Sequence, residues 1–311
     1  LQDHFQVTLM KRLFIIIMIT LIGPLVRSEY SAYGQPYLDV EAFGEGFAVL
    51  EADDKIHFYN SASEQTSTIQ TEGVSGAKFM CSVSDALVIA GETSLSCLLD
   101  GRWLAMDVPE TSRITCLTAF YGGVMAATED GKLLFWGSPF DKAQVIKTEV
   151  SGRFIGMSSF ADRCYAVTDR SEIVSIGLNL HPNTFDFNAY YSEYYGEIDI
   201  VSVAAGATSV CITGNRGDES PAAFISSNGN VWSERAFDYL ESGSQKYMDK
   251  KTITAAYREY DDCYVILCEE GVIFHLPACS HCNYPIFSNS GRLTSMVFNG
   301  KSFMAVGETI Y

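Results

Sequence analysis

Redox or metal chemistry in this 311-residue chain would begin at its nine cysteines. Cys279-Ser-His-Cys282 is the CxxC of the sequence, and His275 and His281 supply imidazoles beside it, so zinc has ligands of the right types. No second CxxC completes a four-ligand set. The expectation is therefore a local Cys279–Cys282 disulfide, with no metal and no cofactor. Most of the other cysteines lie in apolar runs such as FMCSV, ITCLT and SVCIT, where a thiol packs as a small core side chain. The five histidines are isolated. GxSxG, HExxH and P-loop patterns are absent, and no GxGxxG sits in a βαβ setting. Carboxylates gather at turns (Asp53-Asp54, Glu129-Asp130, Glu269-Glu270), where solvation accounts for them. No catalytic residue is assigned.

Two stretches suggest recognition. Arg216-Gly217-Asp218, in the polar segment GNRGDESP, has the form of an integrin-type adhesion string, although so short a string commonly arises by chance. FDFNAYYSEYY (185–195) places Tyr190, Tyr191, Tyr194 and Tyr195 within six residues. Clustered tyrosines supply contact area at low entropic cost; the competing explanation is an insertion that packs its own aromatics against the fold. Those four tyrosines, with Arg216 and Asp218, are the binding candidates.

The formal charge is −17 and the sequence pI near 4.6. Such a surface repels phosphate backbones, so no nucleic-acid partner is expected. Residues 1–9 read as upstream sequence. Met10-Lys11-Arg12, an uncharged block over Leu13–Leu25 and the exit Val26-Arg27-Ser28 have the layout of a secretory signal peptide over 10–28. The block is short for a bilayer span, which needs about 20 residues. A secreted or luminal protein is expected, with a membrane role only if the leader is retained. No Asn-x-Ser/Thr sequon occurs.

The elements that must position these residues come from a repeat. In GGVMAATEDGKLLFWG (122–137) two apolar runs flank Asp130-Gly131, a hairpin signal in which both turn positions are expected at φ > 0. Six similar stretches follow or precede it, with turn centres near Asp54, Glu92, Asp130, Arg170, Gly229, Glu270 and Glu308. The intervals are 38, 38, 40, 59, 41 and 38 residues, with an insertion around 179–221. A sandwich predicts strands at 8–12-residue spacing and no such higher period. A unit near 40 residues with three or four strands is one propeller blade. The predicted fold is thus all-β: a single β-propeller domain over 29–311, with seven blades. The last unit is short of outer strands, and Tyr37–Phe43 is expected to supply one.

Ile114–Gly137 and Phe154–Gly177, and more loosely Ile200–Trp232, resemble the repeat of the regulator-of-chromosome-condensation family, with Gly206, Asp130-Gly131 and Trp136-Gly137 where its glycines and aromatic-Gly close fall. The resemblance implies a seven-bladed propeller. The family's nuclear exchange activity conflicts with the leader and the acidic surface, its repeats are usually longer, and its Gly-Gly pairs and motif histidine are missing here. Ser227–Trp232 (SNGNVW) also looks like an Asp-box turn with Asn228 in the Asp place. The expected function is a monomeric, secreted, non-enzymatic propeller that binds a protein or glycan partner through loops at 180–196 and 214–221. The alternatives are a propeller enzyme of glycosidase or lyase type and a membrane-anchored receptor ectodomain. Carboxylates converging with an arginine in the central channel would favour the enzyme, and a channel of apolar or small residues the binding protein.

Overall fold

A computed structural model describes residues 37–109, 113–235, 250–277, 284–287, 292–300 and 302–310. The upstream segment 1–9, the leader 10–28 and the Cys279–Cys282 pair with His281 lie outside these residues.

The chain is a ring of antiparallel sheets, each running in sequence order from the centre outwards. Blade one holds β1 (Tyr37–Phe43), β2 (Gly46–Glu51), β3 (Lys55–Tyr59) and β4 (Gln65–Gln70). Blade two holds β5 (Phe79–Val83), β6 (Ala86–Ala90), β7 (Leu95–Leu99) and β8 (Arg102–Met106). Blade three holds β9 (Ile114–Phe120), β10 (Gly123–Thr128), β11 (Lys132–Trp136) and β12 (Gln144–Lys147). Blade four holds β13 (Phe154–Phe160), β14 (Arg163–Thr168), β15 (Glu172–Ile176) and β16 (Pro182–Asp186). A helix, α1 (Phe187–Tyr195), leads into blade five: β17 (Ile198–Ala205), β18 (Val210–Arg216), β19 (Pro221–Ser226) and β20 (Ser233–Glu234). Blade six holds β21 (Thr252–Arg258), β22 (Cys263–Cys268), β23 (Ile273–Pro277) and β24 (Tyr284–Phe287). The seventh position is a two-stranded sheet of β25 (Leu293–Phe298) and β26 (Phe303–Gly307).

Among the described residues there are thus six four-stranded blades, not the expected seven. The seventh unit has the inner two strands only, with Ile310 making a single bridge to Val306 beyond its turn. Tyr37–Phe43 does not complete it. It alternates as an inner strand does, pairs with β2 through Val40–Val49, and lines the ring centre.

The second strands are the most buried, because apolar side chains on both faces meet a neighbouring sheet. The core is therefore a series of interblade layers. Ile56 and Leu87 share one between blades one and two; Val40, Phe47 and Val49 meet Met304 and Val306 where the two-stranded sheet closes the ring on blade one.

The turn in the third repeat demands less than expected, one residue at positive φ in place of two. Gly131 N–H bonds to Thr128 C=O at 3.1 Å, and only Gly131 takes positive φ (75°), so this is a type I turn closed by a left-handed residue. Asp54 and Ser171 occupy the same place in their hairpins. In blade five the equivalent turn is Arg216–Pro221, not the one at Gly229, which joins β19 to β20. The extra length of this region is therefore divided between α1 and the connection from 235 to 251.

Seven cysteines (Cys81, Cys97, Cys116, Cys164, Cys211, Cys263 and Cys268) are buried free thiols, as their apolar settings imply.

Candidate functional site

The seven inner strands surround a central cavity of about 560 Å³. Their side chains stitch the ring together, because inner strands of neighbouring blades leave backbone N–H groups facing the channel wall. Ser158 Oγ accepts from Ala205 N at 3.0 Å, and Ser202 Oγ accepts from Ala255 N at 3.1 Å. Asp39 does the same for blade two, its Oδ2 accepting from Met80 N at 2.8 Å, while Oδ1 accepts from Ser295 Oγ at 2.7 Å. Glu41 Oε1 accepts from the N–H and Oγ of Ser82, at 3.3 and 3.1 Å.

Asp39 and Glu41 are two apart on β1, so both face the channel. Burial pushes the Asp39 carboxyl up to about 6. Burial, reinforced by the Asp39 charge, pushes Glu41 up to about 8. Among the described residues no lysine or arginine lines the cavity, which is otherwise walled mainly by small, hydroxyl and aliphatic side chains. Sequence reasoning passed over this pair; the available signal was carboxylates at alternate positions in an otherwise apolar strand.

The mouth lies where the inner strands turn into the second strands. β13, β21 and β25 deliver Phe160, Tyr257 and Phe298 to its rim, beside Glu259 and Gly300. The Phe160 and Tyr257 rings meet edge-on at 5.4 Å, across the end of β17. That crossing needs Gly206: a Cβ there would lie 2.7 Å from Tyr257 Cε2 and 2.6 Å from Tyr264 Oη. Tyr257 Oη donates to Asp262 at 2.8 Å, and burial pushes the phenol up to about 12. On the same face Tyr121 is 66% and Tyr260 84% exposed. Tyr121 is held at φ 49°, a conformation that Asn, Asp or Gly adopts at lower cost.

The sequence-derived candidates lie elsewhere, on the flank between blades four and five. Asp186 caps α1 by accepting from Ala189 N at 3.0 Å. The helix turns Tyr191 and Tyr195 inwards: Tyr191 Oη accepts from Trp232 N at 2.9 Å, and Tyr195 packs on Phe224 at 5.1 Å. Tyr190 and Tyr194, one turn apart, are exposed, with Tyr190 stacked on Phe185 at 4.8 Å. Arg216 is half-buried, its guanidinium already engaged by neighbouring groups. Its Nη1 donates to Tyr195 C=O at the C-terminus of α1 at 2.9 Å, and its Nη2 pairs with Glu234. Asp218 accepts from Ser220 N and Oγ, which hold its carboxyl below the usual range. The Asp-box-like turn is structural too: Asn228 Oδ1 accepts from Asn230 N and Val231 N.

A second cluster sits at the same end of blade six. Asp261, Cys263 and His275 converge there around Arg258. Burial pushes the Cys263 thiol up to about 12, and burial with the Arg258 charge lowers His275.

These features define a β-propeller whose central cavity carries two carboxyl side chains and opens at an aromatic mouth. No family model matches the chain, and no curated protein matches it in sequence. Solved structures do. A structure of YCF48 bound to D1 peptide is similar at a TM-score of 0.67 and 11% identity, covering 92% of this chain and 96% of that one. The structure of U3-55K is similar at 0.68 and 12% identity, covering 89% and 90%. At such identities the likeness carries the fold alone.

Proposed function

We propose that this propeller is a non-enzymatic binding protein that takes a protein segment across the channel mouth. The observation that carries the reading is the aromatic set at one end of the ring, with Tyr121 and Tyr260 exposed on turns at the end where Phe160, Tyr257 and Phe298 line the mouth. Tyrosines on short turns of a rigid scaffold supply apolar area with little entropy to lose. The net charge of −17 and Glu259 at the rim favour a basic segment. YCF48 bound to D1 peptide is a precedent for a propeller of this kind holding a peptide. The exposed Tyr190–Tyr194 patch of α1 is the competing surface.

A random-sequence peptide library displayed on phage tests the choice. Clones selected on the full chain should be rich in Lys and Arg and should lose at least about tenfold in affinity on Tyr121→Ser with Tyr260→Ser. They should be unaffected by Tyr190→Ser with Tyr194→Ser. No enrichment, or the reverse pattern, overturns the assignment.

The same reading takes the chain through the secretory pathway, on the strength of the Met10–Ser28 pattern. Protein recovered from expressing cells should then begin at Glu29 by mass spectrometry; retention of 10–28 would mark an anchored ectodomain. The enzymatic alternative draws on the raised carboxyl of Glu41 in the channel. Against it, both oxygens of Asp39 and one of Glu41 are already bonded to neighbouring strands. Sugar release from a glycan panel, lost in Glu41→Gln, would favour the enzyme.

A further inference from the structure

Four polar side chains meet where blade six faces the two-stranded sheet. Arg258 ends β21, Asp261 lies in the following 3-10 turn, Cys263 begins β22, and His275 stands on β23. The ladder pairs Arg258 with Cys263 and Val265 with His275, which sets Arg258, Cys263 and His275 on one face. Cys263 Sγ lies 2.6 Å from His275 Nε2, and Asp261 Oδ2 lies 3.4 Å from the same nitrogen. All three donor atoms fall within 4.8 Å of one another. Cys263 is fully buried and His275 is 8% exposed, whereas Asp261 opens to solvent and leaves a way in.

Arg258 reports what the convergence point accepts. Its Nη2 is 2.5 Å from Asp261 Oδ2 and 2.5 Å from His275 Nε2. A guanidinium can only donate, so the contact with Arg258 fits the neutral tautomer that turns the Nε2 lone pair to that point and carries the ring proton on Nδ1. This is the form of imidazole that binds a metal. The guanidinium also lies 5.7 Å from the Phe298 ring, a cation–π contact that remains available to it outside the cluster.

We propose that Asp261, Cys263 and His275 form a divalent-metal site suited to zinc, in which Arg258 is the resident cation that the incoming ion displaces towards Phe298. One thiolate, one imidazole and one carboxylate make a borderline-soft set that favours zinc and disfavours magnesium and calcium, which take oxygen ligands. Coordination forms the metal–sulfur bond as the thiol proton leaves to solvent, with no change of oxidation state. The fourth position falls to water, and the ladder of β22 and β23 holds the two buried donors.

Cobalt titration of the full chain, stripped with a chelator and kept reduced, tests the assignment. One equivalent should bind with a thiolate-to-cobalt charge-transfer absorption, and zinc should displace it. Cys263→Ser should abolish that absorption. His275→Gln should weaken binding by at least about 100-fold, since loss of even an outer-shell partner costs 10–100-fold. Arg258→Gln should strengthen binding, because no internal cation must move. This opposite shift still decides the matter if Cys263→Ser fails to fold. The double variant Cys279→Ser with Cys282→Ser should bind as the wild type does. No absorption in the wild type and in Arg258→Gln, persistence in Cys263→Ser, or loss in the Cys279/Cys282 variant would each overturn the site.

Discussion

Asp39 and Glu41 give the channel its chemistry through where they sit. Each is half-buried among neighbouring inner strands, and each holds its proton at a higher pH than an ordinary carboxyl. A value raised in the folded state means that the folded chain keeps a proton the unfolded chain releases. The resulting stability is complete below the ordinary carboxyl range, near about pH 4. It is lost as pH rises through about 6 for Asp39 and about 8 for Glu41. Glu41→Gln keeps an acceptor for Ser82 and removes the charge. Its melting temperature should equal that of the wild type near pH 4 and exceed it near pH 9, by the equivalent of a few kcal/mol at most, on the order of 1–3. A difference independent of pH would remove burial as the cause. These two residues were illegible in the sequence because their neighbours in space, Met80 and Ser82 on blade two and Ser295 on the two-stranded sheet, are far from them along the chain. Alternation in a seven-residue strand does not reveal which face becomes a channel.

Within the elements, turn carboxylates do more than face water. Asp54 accepts from Gly76 N and Ala77 N, and Glu172 accepts from Ser151 N and Gly152 N, each tying a hairpin to an interblade linker. At Glu172 burial pushes the carboxyl up, but those N–H bonds and the Thr168 hydroxyl outweigh it and leave the group below its usual range. Glu172→Ala strands two backbone donors and should cost about 2–4 kcal/mol in denaturant unfolding. A loss under about 0.5 kcal/mol would show that water replaces the carboxylate. Because the folded-state value is lowered, this latch is intact at neutral pH and weakens as pH falls through the carboxyl range. Hairpins centred on Asp54, Asp130 and Glu270 were readable because a tight turn is a local matter. Ser226–Trp232 was misassigned for the same reason: Asn-Gly announces a turn without saying which two strands it joins. The helix over Phe187–Tyr195 was likewise hidden, since its tyrosines read as a cluster until Asp186 capped the first turn and Phe187 entered the core.

At the scale of the molecule, the ring closes on its smallest sheet. β25 lies between β21 and β1, and β26 sends Met304 and Val306 into the layer with Phe47 and Val49 while Ala305 packs with Val265 and Leu293. The period of about 40 residues made the propeller legible, whereas the number of strands at the seventh position was not, because a hairpin has the same sequence pattern inside a full blade or alone. Asp39 adds a polar link across this seam through Ser295, so its closure depends on both apolar packing and the channel carboxylates. In an open array a terminal unit can fray independently; in a closed ring each sheet has two neighbours, and losing one exposes both. Met304 is buried at this seam, so Met304→Ala should cost about 2–5 kcal/mol. The expected signature is one cooperative transition shifted to lower temperature, seen identically by circular dichroism and by tryptophan fluorescence from Trp103, Trp136 and Trp232 on blades two, three and five. A separate early step in one probe, with the main transition unmoved, would mean that the two-stranded sheet is an appendage and that the six full blades hold together without it.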